Sequence, residues 1–254
     1  NRLGLDNKLI RNITEKAQSS PKRVVFAEAD NIKILKAAQT AYEEGVAHPI
    51  LLGKAKKINK LIEEYEFEFP DVEIIDPKSE EETERRELFG KAFFEKRMRK
   101  GVTEFEAIQV MRERNHFGAM MVETGAADAM ISGITRNYRD VVRPVLQVVG
   151  LQKGMSKIAG MYILNTKRGP MFLADTTINL NPTAEDIAEI TSNVAKTIRK
   201  FKVTPRVALL SYSNFGSSPG EDSEKMSKAV KLIHELDPNL IVDGEVQANF
   251  ALNN

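Results

Sequence analysis

The sequence predicts an α/β fold in two units, with mostly parallel or mixed sheets. Three observations predict it. Short apolar, β-branched runs alternate with segments whose apolar residues recur every three or four positions. Several of those runs end on polar or glycine residues that open directly into a helix. The length of 254 residues suits two ordinary cores, and a boundary near residues 150–156 separates two successive α/β patterns.

The first strand is expected over residues 23–27, where RVVFA is followed by Glu28 and Asp30. In the helix after it, Ile32, Leu35, Ala38 and Tyr42 fall on one face and Gly45 supplies a stop. A short strand at 49–52, a charged helix at 55–65 and a strand at 72–75 continue the alternation, which is that of a parallel sheet covered on both faces. A charged helix spans 80–100, with Leu88, Ala92 and Phe93 as a narrow apolar stripe. Gly101 stops it, and Thr103 caps a second helix containing Phe105, Ile108 and Met111. From Phe117 the chain becomes dense in Gly and Ala, a composition that suits backbone lying close to backbone or to a ligand.

A strand at 128–131 opens into Ser132 and Gly133, and RDVVRPVLQVVG then reads as a buried helix, with Pro144 either in its first turn or kinking it. Two strands separated by KRG around Gly169 predict an antiparallel hairpin, and hence a mixed sheet. The next helix starts either with Asn181 as its cap and Pro182 in the first turn, or with Thr183 and Asp186 as a capping box, and runs to about Lys200. The strand RVALLSYS, the loop NFGSSPG, a helix at 222–236 and the strand LIVDGE complete the chain.

Charge and composition narrow the function. With 37 basic against 36 acidic residues there is no basic field for a nucleic-acid backbone, so no nucleic-acid partner is expected. Zero cysteines exclude a disulfide framework, a thiolate nucleophile and sulfur-ligated metals. No run approaches the ~20 apolar residues of a membrane span, and the expectation is a soluble, cytoplasmic chain. The chain opens at Asn1 without an initiator Met and ends within an apolar-periodic pattern, as expected of a segment of something longer.

Ligands of α/β folds lie beyond the carboxyl ends of the strands, which directs attention to residues 28–31, 132–143, 175–181 and 211–220. Ser211, Ser213, Ser217 and Ser218 surround Gly216 and Gly220 just before a helix, where hydroxyls and amides suit an anion; the alternative is an ordinary connecting loop. Arg136, Arg139 and Arg143 follow the Ser132–Gly133 turn, and forked guanidinium donors suit phosphate; their alternative is pairing with Asp140 or other carboxylates. His48, His116 and His234 match no ligand spacing, and Asp128, Asp175 and Asp243 at strand ends offer only a weak Mg²⁺ pattern, so no metal site is expected. Without a thiolate, a histidine relay or a metal cluster, group transfer between activated substrates by positioning and charge stabilisation is the chemistry still open.

The stretches RVVFAEADNIKILKAAQ, HPILLGK, HFGAMMVETGAADAMISG, DVVRPVLQVVG, FLADTTINLNPTAEDIAEI, ALLSYSNFGSS and LIVDGEVQA resemble the phosphate acetyltransferase family over nearly the whole chain. Within it, AMMVETGAADAMISG, FAEADN and SNFGSS are most similar to the C-terminal, phosphotransacetylase-like domain of bacterial NADP-dependent malic enzymes. The resemblance implies two α/β/α domains, here 1–152 and 153–254, flanking a cleft as in isocitrate and isopropylmalate dehydrogenases. It also implies a homodimer or higher homo-oligomer, and a segment beyond this chain that completes the first domain. It assigns acetyl-CoA, CoA or acetyl phosphate binding to Arg97, Ser132, Gly133, Arg136, Arg143, Ser211, Ser213, Gly216 and Ser217. Arg136, Asn137 and Tyr138 stand where active transferases carry His-Ser/Thr-Thr, and Asn214 and Phe215 depart from the family as well. Small phosphate-binding hydroxyls are thereby replaced by bulkier groups.

The resulting expectation is a regulatory, oligomer-forming, acetyl-CoA-binding domain with no confidently placed catalytic residue. The catalytic malic-enzyme domain, with its NADP and divalent metal, would lie elsewhere in the same chain, converting malate to pyruvate. The alternative is an active phosphate acetyltransferase.

Overall fold

The structure, a computed structural model, describes residues 8–69, 71–166 and 168–253. Both chain ends and Lys167 of the expected hairpin turn lie outside them. The chain divides into two compact units, Thr14–Gly150 and Leu151–Asn254, the latter grouped with the residues up to Ile13. Helix α1, Lys8–Ser19, therefore belongs in part to each.

In the first unit, strands β1 (Lys22–Phe26), β2 (Ala47–Leu52), β3 (Glu73–Ile75) and β4 (Ala129–Ile131) form one parallel sheet in the order β3-β2-β1-β4. Its interior strands are β2 and β1, and because β1 pairs in parallel with β4, Glu28, just beyond β1, and the turn beyond β4 emerge at the same end of the sheet. Helices α2 (Ile32–Glu43) and α3 (Ala55–Glu64) connect β1, β2 and β3. Between β3 and β4 lie α4 (Thr83–Arg97), a 3₁₀ turn at Met98–Lys100, α5 (Glu104–Val110) and α6 (Arg114–Glu123). Helix α7 (Tyr138–Val148) follows β4.

The strand period of two sets the layers. Val25, Ile50 and Leu52 face one cluster with Phe89, Phe93, Phe117 and Met120, whereas Phe26 and Leu51 face another with Leu35, Ala38 and Ile58. Fully burying each of these larger side chains contributes about 1.5–3 kcal/mol. The caps explain where helices begin. The Asn31 side chain accepts from the Lys33 amide at 2.9 Å, and Thr103 and Glu106 form the capping box that starts α5.

The Gly/Ala-dense segment begins in helix α6, which the sequence pattern does not identify as a helix. Five successive residues, Phe117 to Met121, are buried, so the polar residues sit at the helix ends and the middle shows no amphipathic period. Gly118 is what lets it lie on the sheet, since a Cβ there would meet Met130 Sδ at 2.7 Å and Val25 Cγ1 at 3.2 Å. Met120 and Met121 fill the core as expected. Pro144 is the seventh residue of α7, well past its first turn.

In the second unit, β5 (Met161–Thr166) and β6 (Gly169–Ala174) form the expected antiparallel hairpin. It is a separate two-stranded sheet, not part of a mixed one. Residues of β6, of α8 (Ala184–Lys200) and of β7 (Arg206–Leu210) line a cavity of about 330 Å³, and no ladder joins β6 to β7. Strand β7 pairs in parallel with β8 (Ile241–Val246) across the crossover helix α9 (Glu221–Leu236), and α10 (Ala248–Leu252) follows. Thr183 and Asp186 form the capping box of α8, which decides between the two starts read from the sequence. Ala188, Ala195, Leu209, Ile233 and Val242 form the buried centre. Among the described residues no helix is long and apolar enough to cross a membrane.

Candidate functional site

The turn after β4 is organised by a carboxylate from another strand. Gly133 adopts φ +123°, a conformation favouring glycine, and turns the following amides inward. Glu28, only 3% exposed, accepts from the amides of Gly133 at 2.6 Å, Ile134 at 2.8 Å and Thr135 at 2.8 Å, and from the Thr135 hydroxyl. Burial pushes the Glu28 carboxyl up, but the Thr135 hydroxyl and the three amides together hold it below its ordinary value. Ser132 donates to Asn115 Oδ1 at 2.8 Å, and Asn115 Nδ2 donates to the Asp140 carbonyl at 3.2 Å. The turn's donors therefore serve the fold, correcting the expectation that they stand open to a phosphate.

The arginines after the turn behave differently. Among the described residues Arg136, Arg139 and Arg143 form no ion pair, so the pairing with Asp140 allowed by the sequence is not made. Arg136 and Arg143 line a cavity of about 670 Å³, within the ~300–1,000 Å³ typical of ligand pockets, together with Phe93, His116, Asp140 and Gln147. His116 Nε2 lies 3.0 Å from Gln147 Oε1, its ring meets Phe93 edge-on at 5.7 Å, and its buried Nδ1 has no hydrogen-bond partner among the described residues. Burial lowers the His116 pKa, with the positive field of Arg143 acting in the same direction. Glu106, Glu113 and Asp140 line the same cavity, so its charge is mixed, and the guanidinium groups of Arg136 and Arg143 are the cationic donors it holds for an anionic ligand.

Arg97 ends α4 and is not among the residues lining this cavity; it is half-buried and its Nε has no hydrogen-bond partner among the described residues.

The serine-rich loop of the second unit has several of its own amides bonded within that unit. Ser213 Oγ accepts from the Ser218 amide at 3.0 Å and lies 3.3 Å from Ser217 Oγ, which accepts from the Asn214 amide at 3.1 Å. The Gly216 amide donates to Glu245 Oε1 at 2.6 Å. Ser211 Oγ is buried without a partner among the described residues. The first turn of α9 carries Glu221, Asp222 and Glu224, whose charges oppose an added anion at that helix end. The amides of Asn214, Gly216 and Ser218 are thus bonded within the unit, as in the connecting-loop alternative, and are not free donors.

The strand-end aspartates have separate jobs. Asp128 precedes β4, not follows it, and pairs with Arg23 at 3.1 Å, while Asp175 accepts from the Gly160 amide at 2.9 Å and the Asn179 amide at 2.7 Å. Among the described residues no three His, Asp or Glu side chains gather as a metal site. Sequence reasoning placed Glu28 at a strand end without its role, and did not identify Asn115. A contact between residues 105 apart leaves no local signal.

The sequence profile described as Phosphate acetyl/butaryl transferase matches residues 8–254. The chain belongs to this family. Its relatives in the phosphate acetyl/butaryl transferase family fall into two kinds. It is 37% identical over 250 residues to the NADP-dependent malic enzyme of Escherichia coli, covering 97% of this chain and 32% of that one. It is 34% identical over 243 residues to the phosphate acetyltransferase of Bacillus subtilis, covering 96% and 74%. A phosphotransacetylase structure from Streptococcus pyogenes matches with a TM-score of 0.83 at 32% identity, over 94% of this chain and 72% of that one. The chain spans about a third of the malic enzymes' length, and 46% of the Helicobacter pylori phosphate acetyltransferase. The α/β class expected from the sequence agrees with these structures.

Proposed function

We propose that the chain is an acetyl-CoA-binding regulatory and oligomerisation module of an NADP-dependent malic enzyme. The observation that carries this reading is the pair Arg136 and Arg143, on the wall of one cavity of about 670 Å³ and without an ion pair among the described residues. Their guanidinium groups meet the ligand's phosphates, and Phe93 and Pro144 offer apolar surface to its less polar part. Ser132 and the amides of residues 133–135 are committed to Asn115 and Glu28, which favours binding over turnover. Acetyl-CoA would then shift the activity of a malic-enzyme region elsewhere in the protein through linkage between distinct sites. NADP and the divalent metal belong to that region, and assembly proceeds through further copies of the chain.

The second reading is a phosphate acetyltransferase that moves acetyl between CoA and phosphate. It is favoured by the 74% coverage of the Bacillus subtilis enzyme. Titration calorimetry with acetyl-CoA, beside an assay of acetyl-CoA formation from acetyl phosphate and CoA, separates the two. Binding without turnover supports the regulatory module. Turnover at rates of about 1–10³ s⁻¹ would replace it with the transferase.

A further inference from the structure

We infer that Glu28 is a positioning residue, a built-in anion that fills the amide nest after β4 and fixes the backbone from which Arg136 and α7 are presented. The inference rests on the proposed reading only for the identity of the ligand. Three consecutive amides and one hydroxyl converge on a single side chain from a different strand, which is 3% exposed. Converging N–H groups form a concavity that attracts an anion, and these part-buried amides are costly to leave unpaired. A carboxylate has two oxygens with about four acceptor positions, enough for all four donors. An isosteric amide has one oxygen and would turn an NH₂ against an N–H. The nest therefore selects for charge and acceptor count, beyond volume.

Arg136 is the next residue after the last of these donors, so the direction in which it leaves the turn is set by the Thr135–Glu28 bonds. A ligand anion consequently finds the nest filled and meets the side chains beyond it. A related use of a carboxylate is made independently in the second unit. Glu245, also 3% exposed, lies on β8 and accepts from Gly216 in the loop after its neighbour β7. Internal carboxylates at strand ends thus shape the loop that follows the adjacent parallel strand.

The test compares wild type with Glu28→Ala and Glu28→Gln in the full 254-residue chain, in sodium formate or in sodium chloride at equal ionic strength. In chloride both variants should bind acetyl-CoA about tenfold more weakly. Formate should restore Glu28→Ala to within about threefold of wild type, by supplying the missing carboxylate to the vacated space. It should not restore Glu28→Gln, whose side chain still occupies that space. Wild-type affinity in Glu28→Ala, or equal recovery of both variants, would overturn the inference. If Glu28→Ala does not fold, Thr135→Val keeps the test: removing one donor should raise the Glu28 pKa and weaken binding, and no change in either would overturn it. If wild type does not bind acetyl-CoA, the proposed function fails separately. Hydrogen exchange at residues 133–136 then decides: slow in wild type, fast in Glu28→Ala and slowed again by formate, or else the inference falls.

Discussion

The side chain of Asn115 donates to the carbonyl of Asp140, the carbonyl that Pro144, four residues later, cannot serve. A proline inside a helix removes one i→i−4 bond, and here a neighbouring helix supplies the missing donor. The same Asn115 accepts from Ser132, so one amide ties the turn after β4 to the helix that carries Arg143. Asn115→Ala should therefore destabilise the protein by about 1–3 kcal/mol. In a Pro144→Ala background, where the backbone N–H returns, the cost should be smaller. Additive costs in urea unfolding of the two singles and the double would contradict the linkage.

Arg114, the neighbour of Asn115, lies bidentate on Asp30, at 2.6 and 2.9 Å. The contact joins the segment after β1 to the start of α6, and Lys57 adds a longer contact of 3.6 Å to the same carboxylate. Both side chains of the pair are about one-fifth exposed, between the surface and buried cases. Arg114→Ala should cost about 1–3 kcal/mol and raise the Asp30 pKa toward its ordinary value. Loss of stability without movement of that pKa would contradict the account.

The pH dependence can be followed at Asp128. Hydrogen bonds from the Arg23 side chain and amide pull this carboxyl from 3.8 down to about 2. A depressed carboxylate pKa means that its stabilisation is complete above about pH 4 and is lost as pH falls toward 2. Carbonyl NMR should show Asp128 titrating near 2, and Arg23→Ala should move it upward. An unshifted titration would contradict the pairing.

His116 acts with the same sign at higher pH. Its lowered pKa means that the unfolded chain takes up the proton first, so stability declines as pH falls through the ordinary value of 6.5. Arg143→Ala should raise the His116 pKa, because Arg143 is one of the charges that depress it. Imidazole NMR that shows no change would place Arg143 away from the ring.

Most of the first sheet was legible because β1, β2 and β3 alternate with amphipathic helices, and Thr103 and Thr183 carry capping signals where helices begin. Helix α6 was not, since the burial of five successive residues, Phe117 to Met121, erases the period of 3.6 in its middle. The arginine cluster was visible as composition, but whether Arg143 pairs with Asp140 or faces a cavity depends on packing. The role of Glu28 was hidden for a different reason: its partners are more than a hundred residues away, joined only when β4 pairs with β1.

The most direct measurement is the calorimetric affinity for acetyl-CoA of wild type and of the Arg143→Ala and Arg136→Ala variants. Saturable one-site binding is expected in wild type, weakened about tenfold or more by either substitution, with a salt dependence that lessens as each guanidinium is removed. Wild-type affinity in both variants would contradict the account.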